Sequence, residues 1–189
     1  PMQTDENVKV AEGRKRVYYW LAQFFLVKPT LNGLISALNP PLLLAVDEML
    51  GEGGAESLEW LNRFVDNMDQ EAVDNLAQRY DELFRIPIPG KYVPPYESCF
   101  SDALYSQSVS GYGEMWGRAT TQVSEFYLRN GFESMAADTP PDHIGLELLF
   151  MSKICELEAQ AYQENNQDPA RSLMREQEEF LSEHLYTWL

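Results

Sequence analysis

Residues 69–84 read DQEAVDNLAQRYDELF, and residues 86–96, almost immediately after, read IPIPGKYVPPY. In the first stretch Val73, Leu76, Ala77, Tyr80, Leu83 and Phe84 recur at spacings of three and four, which lines them along one face of a helix. That face must be buried against a partner. The second stretch holds four prolines and one glycine in eleven residues. Each proline removes a backbone donor and fixes its own φ, so this segment is extended and stiff rather than helical. Amphipathic helix followed by proline-braced connection is the theme of the whole chain.

Working back toward the start, Ser57–Asn67 is a short helix with Leu58, Leu61 and Val65 on one side, preceded by a flexible connector at Gly51–Gly54. An amphipathic segment from about Leu31 to Leu50 must break or restart at Asn39-Pro40-Pro41. Val17, Trp20, Leu21 and Phe24 give a first helix that ends near Pro29, and the polar first dozen residues are expected to fray. Arg14, Lys15 and Arg16 before the apolar run Val17–Val27 imitate a secretory signal. Gln23 interrupts that run and no small-residue cleavage site follows, so it reads as a structural helix.

Working forward, Gly111–Gly131 contains a helix with Ala119, Val123, Phe126 and Tyr127 in register and Gly131 as its stop. Phe132–Pro141 is the hinge candidate. Thr139-Pro140-Pro141-Asp142 resembles a capping box with proline in the first turn, opening a helix from about Asp142 to Glu164. A last helix carries Leu173, Gln177, Phe180, Leu181, His184, Leu185 and Trp188. No period-two run is bounded by hairpin turns. The expected fold is all-α, an irregular bundle of about eight or more helices with proline-rich loops. It should form a single domain over residues 1–189, divisible into a larger N-terminal portion (residues 1–131), a hinge (132–142) and a C-terminal helix pair (143–189). Exchange of that pair between protomers makes a domain-swapped dimer the alternative to a monomer.

Thirty acidic residues against 14 basic ones give a net charge of −16. Phosphate backbones and anionic membranes are repelled by such a surface, which excludes nucleic acid as a partner, whereas a cationic peptide is steered toward it. No apolar run reaches the length of a membrane span, so no stable membrane insertion is expected. Cys99 and Cys155 are the only cysteines and make no disulfide framework, which fits a reducing, cytoplasmic setting.

Three separated motifs then resemble one family. They are Leu83-Phe84 followed by Val93-Pro94-Pro95-Tyr96-Glu97-Ser98, then Pro141-Asp142-His143-Ile144-Gly145-Leu146-Glu147-Leu148-Leu149-Phe150-Met151, then Phe180-Leu181 with His184-Leu185 and Trp188. Together they are similar to the redox-enzyme maturation chaperones related to TorD, DmsD and NarJ, over nearly the whole chain. The resemblance implies no turnover and no cofactor of the chain's own. It implies a helical bundle that binds the leader peptide, often a twin-arginine one, and sometimes the body, of the catalytic subunit of a molybdopterin oxidoreductase.

Positions matching the family's motifs are Tyr80, Leu83, Phe84, Pro95, Tyr96, Asp142 and His143, with Pro94, Glu97, Ser98 and Glu147 beside them. Tyr96 stands where some members have tryptophan and Glu97 where some have glycine. A leader offers an apolar, helix-prone region and guanidinium groups, so its receptor needs an apolar groove with carboxylates at one end. A stiff loop bearing Pro94, Pro95 and Tyr96 could present a ring at little entropic cost, while Asp142 and Glu97 could pair with arginine.

Plainer roles compete at every position. Asp142 and His143 could simply begin a helix, His184 could be a satisfied core histidine, Leu83 and Phe84 could be core, and the prolines could merely cover the bundle. His143 and Glu147 at i, i+4 near Asp142 could hold a metal, but the chain has only two histidines and lacks the Glu-x-x-His pairs of a di-iron bundle. Phosphate-binding, acyl-transfer and dinucleotide fingerprints are missing. A general helical interaction domain is the main alternative to the chaperone, and a metal-dependent enzyme the remoter one.

Overall fold

The computed structural model describes residues 2–38, 55–101, 112–133 and 138–189, and every regular element among them is helical. In chain order these are α1 (Met2–Leu26), α2 (Leu31–Ala37), α3 (Ala55–Asp66), α4 (Gln70–Tyr80), α5 (Glu97–Ser101), α6 (Arg118–Arg129), α7 (Ile144–Gln163), α8 (Gln167–Phe180) and α9 (Tyr186–Trp188). Two wider π-helical turns follow α4 and α8, at Asp81–Arg85 and Leu181–Leu185. The chain divides into two compact units, residues 1–26 with 94–189, and residues 27–93.

In the first unit α7 is the central element, because it is apolar on nearly every side and therefore stable only when surrounded. α1 and α8 pack along it. Ala11 and Ala22 of α1 have no exposed surface, and their small side chains let the helix backbones approach. The core joins Val123, Phe126 and Tyr127 of α6 with Leu148, Phe150, Met151 and Ile154 of α7 and with Phe180. Two of its aromatic pairs, Phe150–Phe180 at 4.8 Å and Phe126–Phe180 at 5.1 Å between ring centres, are tilted and edge-on respectively, as ring quadrupoles prefer.

The expectation that the first dozen residues fray is overturned: α1 is helical from Met2. Val8 packs against Ala161, Tyr162 and Ala170, and this burial outweighs the local polarity of the segment. A polar clamp strengthens the same contact. Arg14 donates to both oxygens of buried Glu158 at 2.8 Å and to Gln177 at 3.0 Å, and Gln177 donates to Glu158 at 2.7 Å.

Gly131 ends α6 with φ 76°, as its place in the sequence suggests, and Phe132 N–H returns to the Tyr127 carbonyl at 2.9 Å. The start of α7 differs from expectation. His143, not Thr139, is its cap, and the helix begins at Ile144. Gly145 is required there: a Cβ on it would collide with Cγ of Leu26 in α1.

The second unit is built from α2, α3 and α4. Thr30 caps α2 by accepting Gly33 N–H, and Asp69 caps α4 by accepting Ala72 N–H at 2.8 Å. The expected helices at 57–67 and 69–84 correspond to α3 and to α4 with its π turn. Asn39-Pro40-Pro41, Gly51–Gly54 and residues 134–137 of the hinge candidate lie outside the described residues.

Candidate functional site

The positions singled out by sequence fall in both units. Tyr80, Leu83 and Phe84 belong to residues 27–93. Tyr80 is buried, with the half-buried Phe84 ring edge-on to it at 5.5 Å. Leu83 instead is 39% exposed. The π turn closes with Ile86 N–H to the Asp81 carbonyl at 2.8 Å, and its extra residue per turn rotates Leu83 out of the stripe that an α-helix would have kept buried. Leu83's carbonyl accepts Val93 N–H at 2.7 Å, and Ile86 and Val93 are exposed as well. Glu82 is paired with Lys91 and Asp81 with Lys28 and Arg85.

Pro94, Pro95, Tyr96, Glu97, Ser98, Asp142, His143 and Glu147 all lie in the first unit, and the backbone itself brings them together. Tyr96 and His143 form an isolated antiparallel bridge, with Ile144 N–H to the Pro95 carbonyl and Glu97 N–H to the Asp142 carbonyl, both 2.9 Å. Their rings meet edge-on at 5.2 Å. Tyr96 is half-buried. Pro94 and Pro95 are buried, so the expected proline lip faces inward: their donor-free backbone closes over the core and leaves Tyr96 as the partly open ring.

Asp142 has no exposed surface, and both of its carboxylate oxygens are taken. Oδ2 accepts Ser98 N–H at 2.8 Å and Oδ1 accepts the Thr120 hydroxyl at 2.9 Å. Asp142 thus caps α5 from across the fold, where the carboxylate also meets the positive end of the helix. Glu97 is equally buried and lies 2.9 Å from Nδ1 of His184 in the second π turn. Neither carboxylate is turned toward an incoming guanidinium. Burial of a charge is tolerable only when it is paired and hydrogen-bonded, which accounts for this inward set. His184 is the satisfied interior histidine that its apolar surroundings suggest.

His143 Nδ1 accepts Gly145 N–H at 3.0 Å, a role open only to the neutral ring, and burial lowers its pKa from 6.5 to about 4. Tyr127 donates to the Pro141 carbonyl at 3.0 Å, fixing the turn before Asp142. Its phenol is held well above the usual range, first by burial and then by Glu147, Asp142 and Glu97. Glu147 is fully buried beside these carboxyls, and burial, then Glu97 and Asp142, raises its pKa well above 4.5. Among the described residues no group of three or more His, Cys, Asp or Glu side chains is arranged to hold a metal ion, and no helix is long and apolar enough to cross a membrane.

Sequence reading did not single out Thr120, which anchors Asp142, or the Arg14–Glu158–Gln177 clamp. The available signal was Glu158, a carboxylate at an inward position among the apolar residues of α7.

A family model described as nitrate reductase delta subunit matches residues 47–189. The chain belongs to that family. Chaperone protein TorD of Vibrio cholerae serotype O1, classical Ogawa strain, is 26% identical over 184 residues, which is 94% of this chain and 77% of the relative. The TorD of the El Tor Inaba strain matches at the same identity and coverage. A solved structure from Archaeoglobus fulgidus assigned to redox enzyme maturation is 22% identical, covers 89% of this chain and 94% of its own, and has a TM-score of 0.49, at which likeness it carries no argument. The delta-subunit match and the TorD likeness agree with the three motifs, which resemble the TorD and NarJ maturation chaperones. This is a family of chaperones, not of catalysts.

Proposed function

We propose that this delta-subunit family member holds the catalytic subunit of a molybdopterin-containing oxidoreductase in the cytoplasm, through its leader peptide, until cofactor insertion is complete and export or assembly can follow. The observation that carries the reading is family membership over residues 47–189 together with likeness to TorD over 94% of the chain. Physical features support the leader as the handle. A twin-arginine leader is cationic at one end and apolar along its length, and a net charge of −16 draws it in. Exposed Leu83, Ile86 and Val93 give the 27–93 unit an apolar surface held by the Leu83–Val93 backbone bond. In the other unit Tyr96 is the accessible ring, and Asp142, His143 and Glu97 act by positioning it rather than by touching the guest.

Calorimetry with a synthetic leader peptide tests the reading. Leu83→Ala with Tyr96→Ala should weaken binding by about tenfold or more, since truncated apolar and aromatic anchors dominate such interfaces. The association rate should fall as salt screens the acidic surface. Unchanged affinity in the double variant would move the docking surface elsewhere. Binding of the mature subunit but not of the leader would refute the leader as the handle while leaving the chaperone role intact.

A further inference from the structure

Glu147 on α7 has no exposed surface, and neither of its oxygens makes a hydrogen bond. The groups that act on it are Glu97 of α5, Asp142 of the turn before α7, and the indole of Trp188 in α9. Trp188 Nε1 is itself buried without a hydrogen-bond partner, while its ring stacks on Phe100 of α5, 5.5 Å between centres. Other titratable groups nearby are committed. His184 of the π turn bonds Glu97, His143 caps α7, and Tyr127 of α6 donates to Pro141. On α1, Arg14 and Lys15 pair with Glu158 and Glu156, some two to three turns further along α7. Arg129 of α6 pairs with Glu176 and Glu179 of α8.

The donors and acceptors around Glu147 accept only one form of it. A carboxylate is acceptor-only, whereas a neutral carboxyl is donor and acceptor at once. Glu97, an acceptor, and the indole N–H, a donor with no acceptor capacity, both act on it. A neutral Glu147 can donate to the first and accept from the second. An ionised one meets two further carboxylates in a low-dielectric interior, and among the described residues no lysine or arginine pairs with it.

We propose that Glu147, carrying a proton, is the bolt of a clasp that fastens the last turns of the chain, His184–Trp188, onto α5 and α7. His184 on Glu97 is one jaw and Trp188 on Glu147 and Phe100 is the other. Loss of the Glu147 proton sets three carboxylates against one another, and the turn bearing Trp188 lets go. The clasp shares Glu97 and Asp142 with the turn that positions Tyr96, but its own test needs no guest.

Backbone hydrogen exchange of residues 184–189, corrected for intrinsic chemistry, reads the clasp directly. In the native chain exchange should stay slow while Glu147 holds its proton and quicken by up to about tenfold per pH unit once it ionises. Glu147→Gln, neutral at every pH, should abolish that rise. Carboxyl-carbon NMR of the unaltered protein gives a reading free of any folding defect in the variant: Glu147 should still be protonated at a pH where the exposed glutamates are ionised. An ionised Glu147 at that pH, or an identical exchange profile in the native protein and the Glu147→Gln variant, would overturn the proposal.

Discussion

Asp142 accepts the backbone N–H of Ser98 through its side chain at 2.8 Å while its own carbonyl accepts the neighbouring Glu97 N–H at 2.9 Å. One residue therefore satisfies two of the unpaired donors at the start of α5, from a position 44 residues away. The pairing ties the proline-braced segment to the head of α7, so the Asp-His motif is first of all a fastening.

Asp142→Ala should therefore lower unfolding free energy by about 2–4 kcal/mol, because it strands a buried N–H and a buried hydroxyl. Urea unfolding measures the loss. A variant that keeps full stability would show that α5 finds its cap elsewhere.

His143 gives stability an acid limb. Its folded pKa is depressed, so its contribution is present above the unfolded value of 6.5 and is lost as pH falls through about 4. That span amounts to roughly 3 kcal/mol when fully lost. His143→Asn keeps an acceptor at the cap without a titrating ring and should flatten the limb in unfolding curves taken across this range. An unaltered limb would place the acid sensitivity on another group.

Glu147 acts in the opposite sense. Its folded pKa is raised, so its contribution is full below 4.5 and declines as pH climbs toward the folded value. Glu147→Gln should remove this decline and leave the acid limb of His143 in place. If both limbs changed together, the two groups would be coupled rather than separate.

Gly145→Ala should cost about 1–3 kcal/mol, since a methyl there meets the Leu26 side chain. Adding Leu26→Ala should return some of the loss by clearing the space. Thermal unfolding of the two variants decides the matter, and additive losses would contradict the close contact.

Glu158→Ala should cost about 3 kcal/mol by leaving Arg14 without its bidentate partner, with Gln177 alone to compensate. Replacing the pair with Arg14→Met and Glu158→Leu should be milder than the single change. Chemical unfolding of both variants compares them directly.

What the sequence disclosed followed its local periods. The stripe from Val73 to Tyr80, the Gly131 stop and the apolar α7 were legible because each depends on neighbours within a turn or two. Leu83 was misplaced because a single π turn breaks the period without any local marker. The inward set of Asp142 and Glu97 was illegible for another reason: a carboxylate's burial is decided by Ser98, Thr120 and His184, which lie 22 or more residues away in the chain. The closeness of Tyr96 and His143 came into view only through resemblance to a family, not from spacing.

The most direct test of the chaperone assignment is recovery of the chain from its native host under gentle conditions, with every co-purifying protein identified by mass spectrometry. The expected partner is the catalytic subunit of a molybdopterin oxidoreductase, still bearing its leader and low in bound cofactor. Recovery of the chain with other partners and no such subunit, from cells that are making the oxidoreductase, would contradict the assignment.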